Sequence, residues 1–207
     1  MKKGFTLIEL LVVIAILAVL ATAVVLVLNP AELLKQGRDS TRISDLSALN
    51  SALSLWVSDV LNGQGATSWT PAGTNAGKWG NTDEVFTTYS TSTPGTVLAS
   101  TSMTNTIVTS TATVLGSGWI PINFSLIAAG SPLSKLPVDP NNGTAGCKAT
   151  LNICEYIFHA SSTVGIYKLA ANMESVKFFT GGSAHVTDND GGSDPGWYEI
   201  GSNMTSW

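Results

Sequence analysis

From Leu10 to Leu28 the chain runs for nineteen residues without a charge. Counted from Phe5, the apolar stretch would make a helix of about 36 Å at 1.5 Å per residue. That is long enough to cross the hydrocarbon core of a bilayer. Lys2 and Lys3 are the only charges before Glu9, so the bias of positive charge keeps the N-terminus cytoplasmic and sends the remainder across. Glu9 is the anomaly. A carboxylate near the start of a membrane helix is expensive unless it has a partner or a route to water. A secretory signal is the competing reading, because Ala21-Thr22-Ala23 has the form of a cleavage site. Cleavage there would release a soluble protein beginning at Val24. The apolar run nevertheless continues to Leu28, and such a signal gains nothing from Glu9.

The chain has 207 residues, enough for an appendage and one domain with a real core. It is 44% hydrophobic and only 12% charged, with a formal charge of −4. No basic stretch follows the first two lysines, so nucleic acid is not an expected partner. Cys147 and Cys154 lack the spacing of a zinc site and the CxxC of a redox pair. Outside the cytoplasm the preferred reading is a disulfide closing a short loop, with two unrelated free thiols as the alternative.

The stretch Gly4-Phe5-Thr6-Leu7-Ile8-Glu9 resembles the class III signal of type IV pilins and type II secretion pseudopilins. The resemblance implies that residues 1–4 are a leader, that a prepilin peptidase cuts after Gly4, and that the new amino terminus, Phe5, is methylated. It also implies a role for the odd carboxylate. The ammonium created at Phe5 is a positive charge at the helix start. When helices stack with an axial stagger, Glu9 of one subunit would neutralise Phe5 of the next. The simpler alternative is that Glu9 sits at the interface and favours the helix dipole.

Asn29-Pro30 interrupts the run, since proline removes a backbone bond and crowds the carbonyl four residues back. A kink or a short melted segment is expected. Beyond it Ile43, Leu46, Leu49, Leu53, Trp56 and Val60 recur at steps of three and four, while Lys35, Arg38, Asp39, Arg42 and Asp45 occupy other positions. This predicts an amphipathic helix to about Leu61, stopped at Asn62-Gly63. Its stripe needs a sheet to cover it.

Residues 64–84 read as a surface connection. Residues 85–134 contain no charged residue and no histidine, and residues 87–113 hold sixteen Ser or Thr in twenty-seven positions. That composition suits exposed strands and loops, or a glycan-bearing patch. A short helix is expected over residues 122–129. The "LPVDP" at 136–140 reads as an extended turn and resembles an element preceding the sheet in pseudopilins and small pilins, which carries over Leu136, Pro137, Asp139 and Pro140 as structural positions. Strands are expected over residues 155–160, 165–171 and 176–180 as an antiparallel meander. Alternation directs Tyr156 and Phe158 to one face and Ile157 and His159 to the other, one covered by the amphipathic helix and the other by loops or neighbouring subunits.

In "DNDGGSDPGWYE", Asp188, Asp190 and Asp194 lie in a glycine-rich loop. Three carboxylates could supply oxygen ligands to calcium, although the EF-hand pattern is absent. Major secretion pseudopilins hold calcium in such a loop, so the resemblance makes Ca²⁺ the one candidate cofactor, and none is required; a surface loop of Asx-turns without metal is the preferred reading of these residues. His159 and His185 lie in no catalytic pattern.

The expected fold is α+β: a long N-terminal helix, half membrane and half amphipathic, packed on a C-terminal antiparallel sheet. Residues 1–4 are the leader, 5–29 the membrane or filament-core helix, 30–62 the amphipathic helix and 63–207 the head. The expected role is a non-enzymatic filament subunit, single-pass in the inner membrane with a cytoplasmic N-terminus before assembly, and part of a periplasmic or extracellular fibre afterwards. Its partners would be further copies of itself, prepilin peptidase, the inner-membrane assembly machinery and, before assembly, lipid. A calcium-bearing type II secretion pseudopilin and a membrane-anchored binding module or adhesin are the alternatives.

Overall fold

The computed structural model describes residues 4–63, 84–89, 105–108, 111–149, 152–160 and 165–204. The apolar segment forms α1, Leu7–Leu28, and the next helix, α2, spans Pro30–Trp56. Between them Asn29 alone adopts the left-handed conformation, with φ 40° and ψ 76°. It serves both helices. It ends α1, and its side-chain oxygen accepts from Glu32 N at 3.4 Å to cap α2. Pro30 stands at the first position of α2, where no intrahelical N–H is needed. The interruption is therefore a one-residue kink with no melted segment.

The predicted stripe of α2 is the centre of the core. Leu46, Leu49 and Leu53 are fully buried and Trp56 nearly so, each stabilising the fold by about 1.5 to 3 kcal/mol over an exposed position. After Trp56 the helix widens into a π-helical turn, Val57–Gly63, which keeps Val60 and Leu61 in the same core.

The sheet has five strands: β1 (Glu84–Thr87), β2 (Asn105–Val108), β3 (Tyr156–Ala160), β4 (Tyr167–Ala171) and β5 (Tyr198–Gly201), in the order β2-β1-β3-β4-β5. β1, β3, β4 and β5 are antiparallel neighbours, and β2 joins the β1 edge in parallel. The expected alternation holds. Tyr156, Phe158, Tyr167 and Leu169 belong to the core under α2, with the Tyr156 hydroxyl donating to Asp45 at 2.8 Å and the Tyr167 hydroxyl to Asn50 Oδ1 at 2.8 Å. Ile157, His159, Lys168, Ala170 and Glu199 alternate with them on the far face and are also buried.

Two expected elements take other forms. Residues 176–180 are a turn, and the third strand of the meander is β5. The cause is competition for backbone donors. Glu174 N and Ser175 N donate to Asp39 at 2.9 and 2.8 Å, and Val176 N donates to Glu32 at 2.6 Å, so α2 draws the chain away from the sheet edge. The helix expected over residues 122–129 shrinks to a 3₁₀ turn, Phe124–Leu126. The Asn123 carbonyl accepts both the Trp56 indole at 3.0 Å and Leu126 N at 3.4 Å, which closes the 3₁₀ turn, and Ala128 N donates to Asp59 at 2.6 Å instead of continuing a helix.

The connection at residues 64–83 and most of the Ser/Thr-rich tract, with its expected glycan patch, lie outside the described residues. Where that tract is described, it supplies the end of β1 and all of β2 rather than surface loop alone.

Candidate functional site

Gly4, Phe5 and Thr6 precede α1 in non-helical conformation. Phe5 is 88% exposed, and a side-chain atom added at Gly4 would meet nothing within 4 Å, so the Gly4-Phe5 bond is open to a protease. Thr6 is the N-cap, with its hydroxyl accepting from Glu9 N at 3.4 Å. In return Glu9 Oε2 accepts from Thr6 N at 2.8 Å and from the Thr6 hydroxyl at 2.7 Å. This is a complete capping box, which satisfies two N-terminal donors reciprocally. Sequence reasoning passed over Thr6, although Thr-x-x-Glu before an apolar run is a legible signal.

Scission after Gly4 leaves every bond of this box intact, because all of them lie on Thr6 and Glu9. Glu9 Oε1 makes no hydrogen bond among the described residues, so one oxygen stays available to a cation from outside. Phe5, Ile8, Glu9, Val12 and Val13 line one shallow groove along the helix. Leu7–Val25 is a candidate membrane span of 19 residues, and none of it is buried against the head.

Where α2 meets the head, an ionic cluster unites residues far apart in sequence. Arg42 is wholly buried. Its Nε and Nη2 donate to the two oxygens of Asp139 at 2.7 and 2.8 Å, and Nη1 donates to Asp39 at 2.7 Å. Glu174 accepts from Arg38 Nε at 2.8 Å and from Asn141 at 2.6 Å, and meets Arg42 Nη2 at 3.3 Å. Burial works against the Arg42 cation, yet the bonds from Asp139 and Asp39 outweigh it and its pKa is raised. Burial likewise pushes Glu174 up, and Arg38, Arg42 and Asn141 reverse this to leave it below the usual carboxylate range.

The 136–140 strap carries Asp139 into place. Leu136 is fully buried, the Pro137 carbonyl accepts from the Trp119 indole at 2.9 Å, and Pro140 lies exposed at the turn. Asp39 and Arg42 were read as residues of the polar face. Stepping back from Leu46 by four and then three reaches Arg42 and Asp39, so the stripe itself predicts their burial.

Cys147 and Cys154 form a disulfide with Cα atoms 5.2 Å apart. They lie beside Glu174 with potential ligand atoms within 4.8 Å of one another, but sulfurs joined to each other are not free to ligate. His159 is buried in β3, and His185 precedes a short helix, α3 (Val186–Asn189).

The structure does not gather Asp188, Asp190 and Asp194 into one set of ligand atoms within 4.8 Å among the described residues. Their oxygens serve the backbone. Asp190 accepts from Gly192 N and Glu199 N, both at 2.7 Å, Asp194 accepts from Gly196 N at 2.8 Å, and Asp188 accepts from Gly181 N at 3.3 Å. Calcium takes six to eight oxygens at about 2.3–2.6 Å, and this arrangement does not fit it.

Residues 1–25 match the family model described as the prokaryotic N-terminal methylation motif. The N-terminus is similar to that of type IV pilins and pseudopilins. No curated protein and no solved structure matches the chain. For this pilin-like chain the motif implies peptidase processing and assembly into a pilus-like polymer. It also marks a structural family rather than an enzymatic one. The unburied α1 fits a membrane-anchored prepilin.

Proposed function

We propose that the protein is a structural subunit of a type IV pilus, cut after Gly4 by prepilin peptidase, methylated at Phe5 and polymerised through α1. The observation that carries this reading is the junction at Gly4-Phe5. An open, non-helical peptide bond stands immediately before a capped apolar helix whose stretch Leu7–Val25 has no residue buried against the head. Such a helix has two environments that match it, lipid before assembly and other copies of itself afterwards. In the membrane the Thr6-Glu9 box keeps the carboxylate hydrogen-bonded. In the fibre Glu9 Oε1 receives the Phe5 ammonium of an adjoining subunit.

The N-terminus is cytoplasmic before extraction, and the head folds on the far side, where the Cys147–Cys154 bond is stable. The secretion pseudopilin is the alternative. The calcium loop that pointed to it has its carboxylates committed to backbone donors, which favours the pilus.

N-terminal sequencing and intact mass of fibres tests the assignment. The expected chain starts at methylated Phe5, and Gly4→Leu accumulates with its leader. Fibres that begin at Met1 or at Val24 would overturn it.

A further inference from the structure

The far face of the sheet holds a buried cation that the filament reading does not use. Lys168, the second residue of β4 and on the face of the sheet turned away from α2, is 3% exposed. Its Nζ stands 2.9 Å from Glu199 Oε1 as an ion pair and donates to the Ser193 hydroxyl at 3.0 Å. The second oxygen of Glu199 accepts from Ser193 N at 2.6 Å and Asp194 N at 3.0 Å. Lys168 and Glu199 thus hold Ser193 from two sides.

Asp190 adds the outer tie, spanning from Gly192 N to Glu199 N. Gly192 is needed for this closure, since a side chain there would meet Glu199 Oε2 at 2.1 Å. Trp197, within the same loop, is 2% exposed.

We infer that Lys168 is the internal cation of the loop at residues 190–199, so that an ammonium fixed to β4 neutralises Glu199, the carboxylate that holds Ser193 N and Asp194 N, and the loop closes without a divalent metal. The charge logic is direct. A loop of several carboxylates folding over a dry surface needs positive charge, and a buried carboxylate without a partner is strongly disfavoured. A metal at Glu199 would have to stand beside the Lys168 ammonium, where the like charges repel. Asp188, Asp190 and Asp194 do not form a set of three ligand atoms within 4.8 Å of one another among the described residues. The inference is independent of which fibre the subunit builds.

The test uses the full chain in detergent micelles, with thermal unfolding followed by tryptophan fluorescence in EGTA and in millimolar CaCl₂, and limited proteolysis of the loop. The wild-type midpoint should agree in the two buffers to within about 1 °C. Lys168→Met should raise loop cleavage by about tenfold or more. Because that variant leaves Glu199 buried alone, a second variant, Lys168→Met with Glu199→Met, removes both charges and should bring cleavage back to within about threefold of wild type. A calcium-dependent rise of about 5 °C or more in the wild type overturns the inference. So does a single variant cleaved at the wild-type rate, or a double variant no better protected than the single.

Discussion

Arg42 is the residue on which the joint between helix and head turns, because it alone answers both Asp39 and Asp139. Arg42→Met keeps the length of the side chain and strands two buried carboxylates, so urea unfolding should show a loss of about 3 to 5 kcal/mol. Glu155 behaves differently. It is 1% exposed, one oxygen accepts the Thr87 hydroxyl, and Oε1 has no hydrogen-bond partner among the described residues. Burial, with the charge of Asp139 adding to it against the Thr87 bond, pushes its pKa up to about 7. The folded protein therefore holds this proton more tightly than the unfolded chain does. The contribution of Glu155 to stability is full below about pH 4.5 and is lost as pH rises through about 7, by something on the order of 3 kcal/mol. Glu155→Gln should flatten that slope in denaturant melts between pH 4.5 and 8, and an unchanged slope would place the titration elsewhere. At Glu9 the expected effect is on assembly: Glu9→Ala inserts into membranes as wild type does but yields no ordered fibres by electron microscopy. Glu9 stood out in the sequence because it is polar among apolar residues. Arg42 did not, because a charged residue beside charged neighbours looks solvated until the heptad spacing is followed back from Leu46.

The elements were legible where one force dominates. Hydrophobic periodicity placed α2, and alternation placed β3 and β4 with their faces, since burial decides both. It failed at residues 176–180, where Val176, Phe178 and Phe179 have strand-like composition but the backbone donors ahead of them are claimed by Asp39 and Glu32. No local pattern reveals a carboxylate arriving from more than a hundred residues away. The helix expected over residues 122–129 failed for a related reason, the Asp59 carboxylate taking the Ala128 N–H that would have continued it. The Cys147–Cys154 loop, with a sequence separation of 7, closes a short segment. The chain-entropy estimate gives roughly 2 to 3 kcal/mol for such a bridge. Reduction, or Cys147→Ser with Cys154→Ser, should lower head stability by about that amount while leaving insertion of α1 unchanged.

At the scale of the molecule, anchor and head are energetically separate. Among the described residues, none of α1 belongs to the core, which begins on α2 with Leu46. A chain starting at Pro30 should therefore be soluble without detergent and melt within about 2 °C of the full chain, whereas a large drop would mean that α1 supports the head. This division was readable from the sequence, because the change from an all-round apolar segment to a one-sided stripe falls at Asn29-Pro30. The parallel pairing of β1 with β2 was not, since residues 84–87 and 105–108 sit among threonines and serines whose composition speaks equally for loop and strand.

Asn29, the sole left-handed residue between the two long rods, also decides where mechanical load goes. Torque on the head reaches the anchor through one pair of backbone angles beside a ring-locked proline. The two rods can swing about that point while each keeps its hydrogen-bond ladder whole. A subunit pulled along its length would yield first by pivoting there, before any side chain in the interior is displaced.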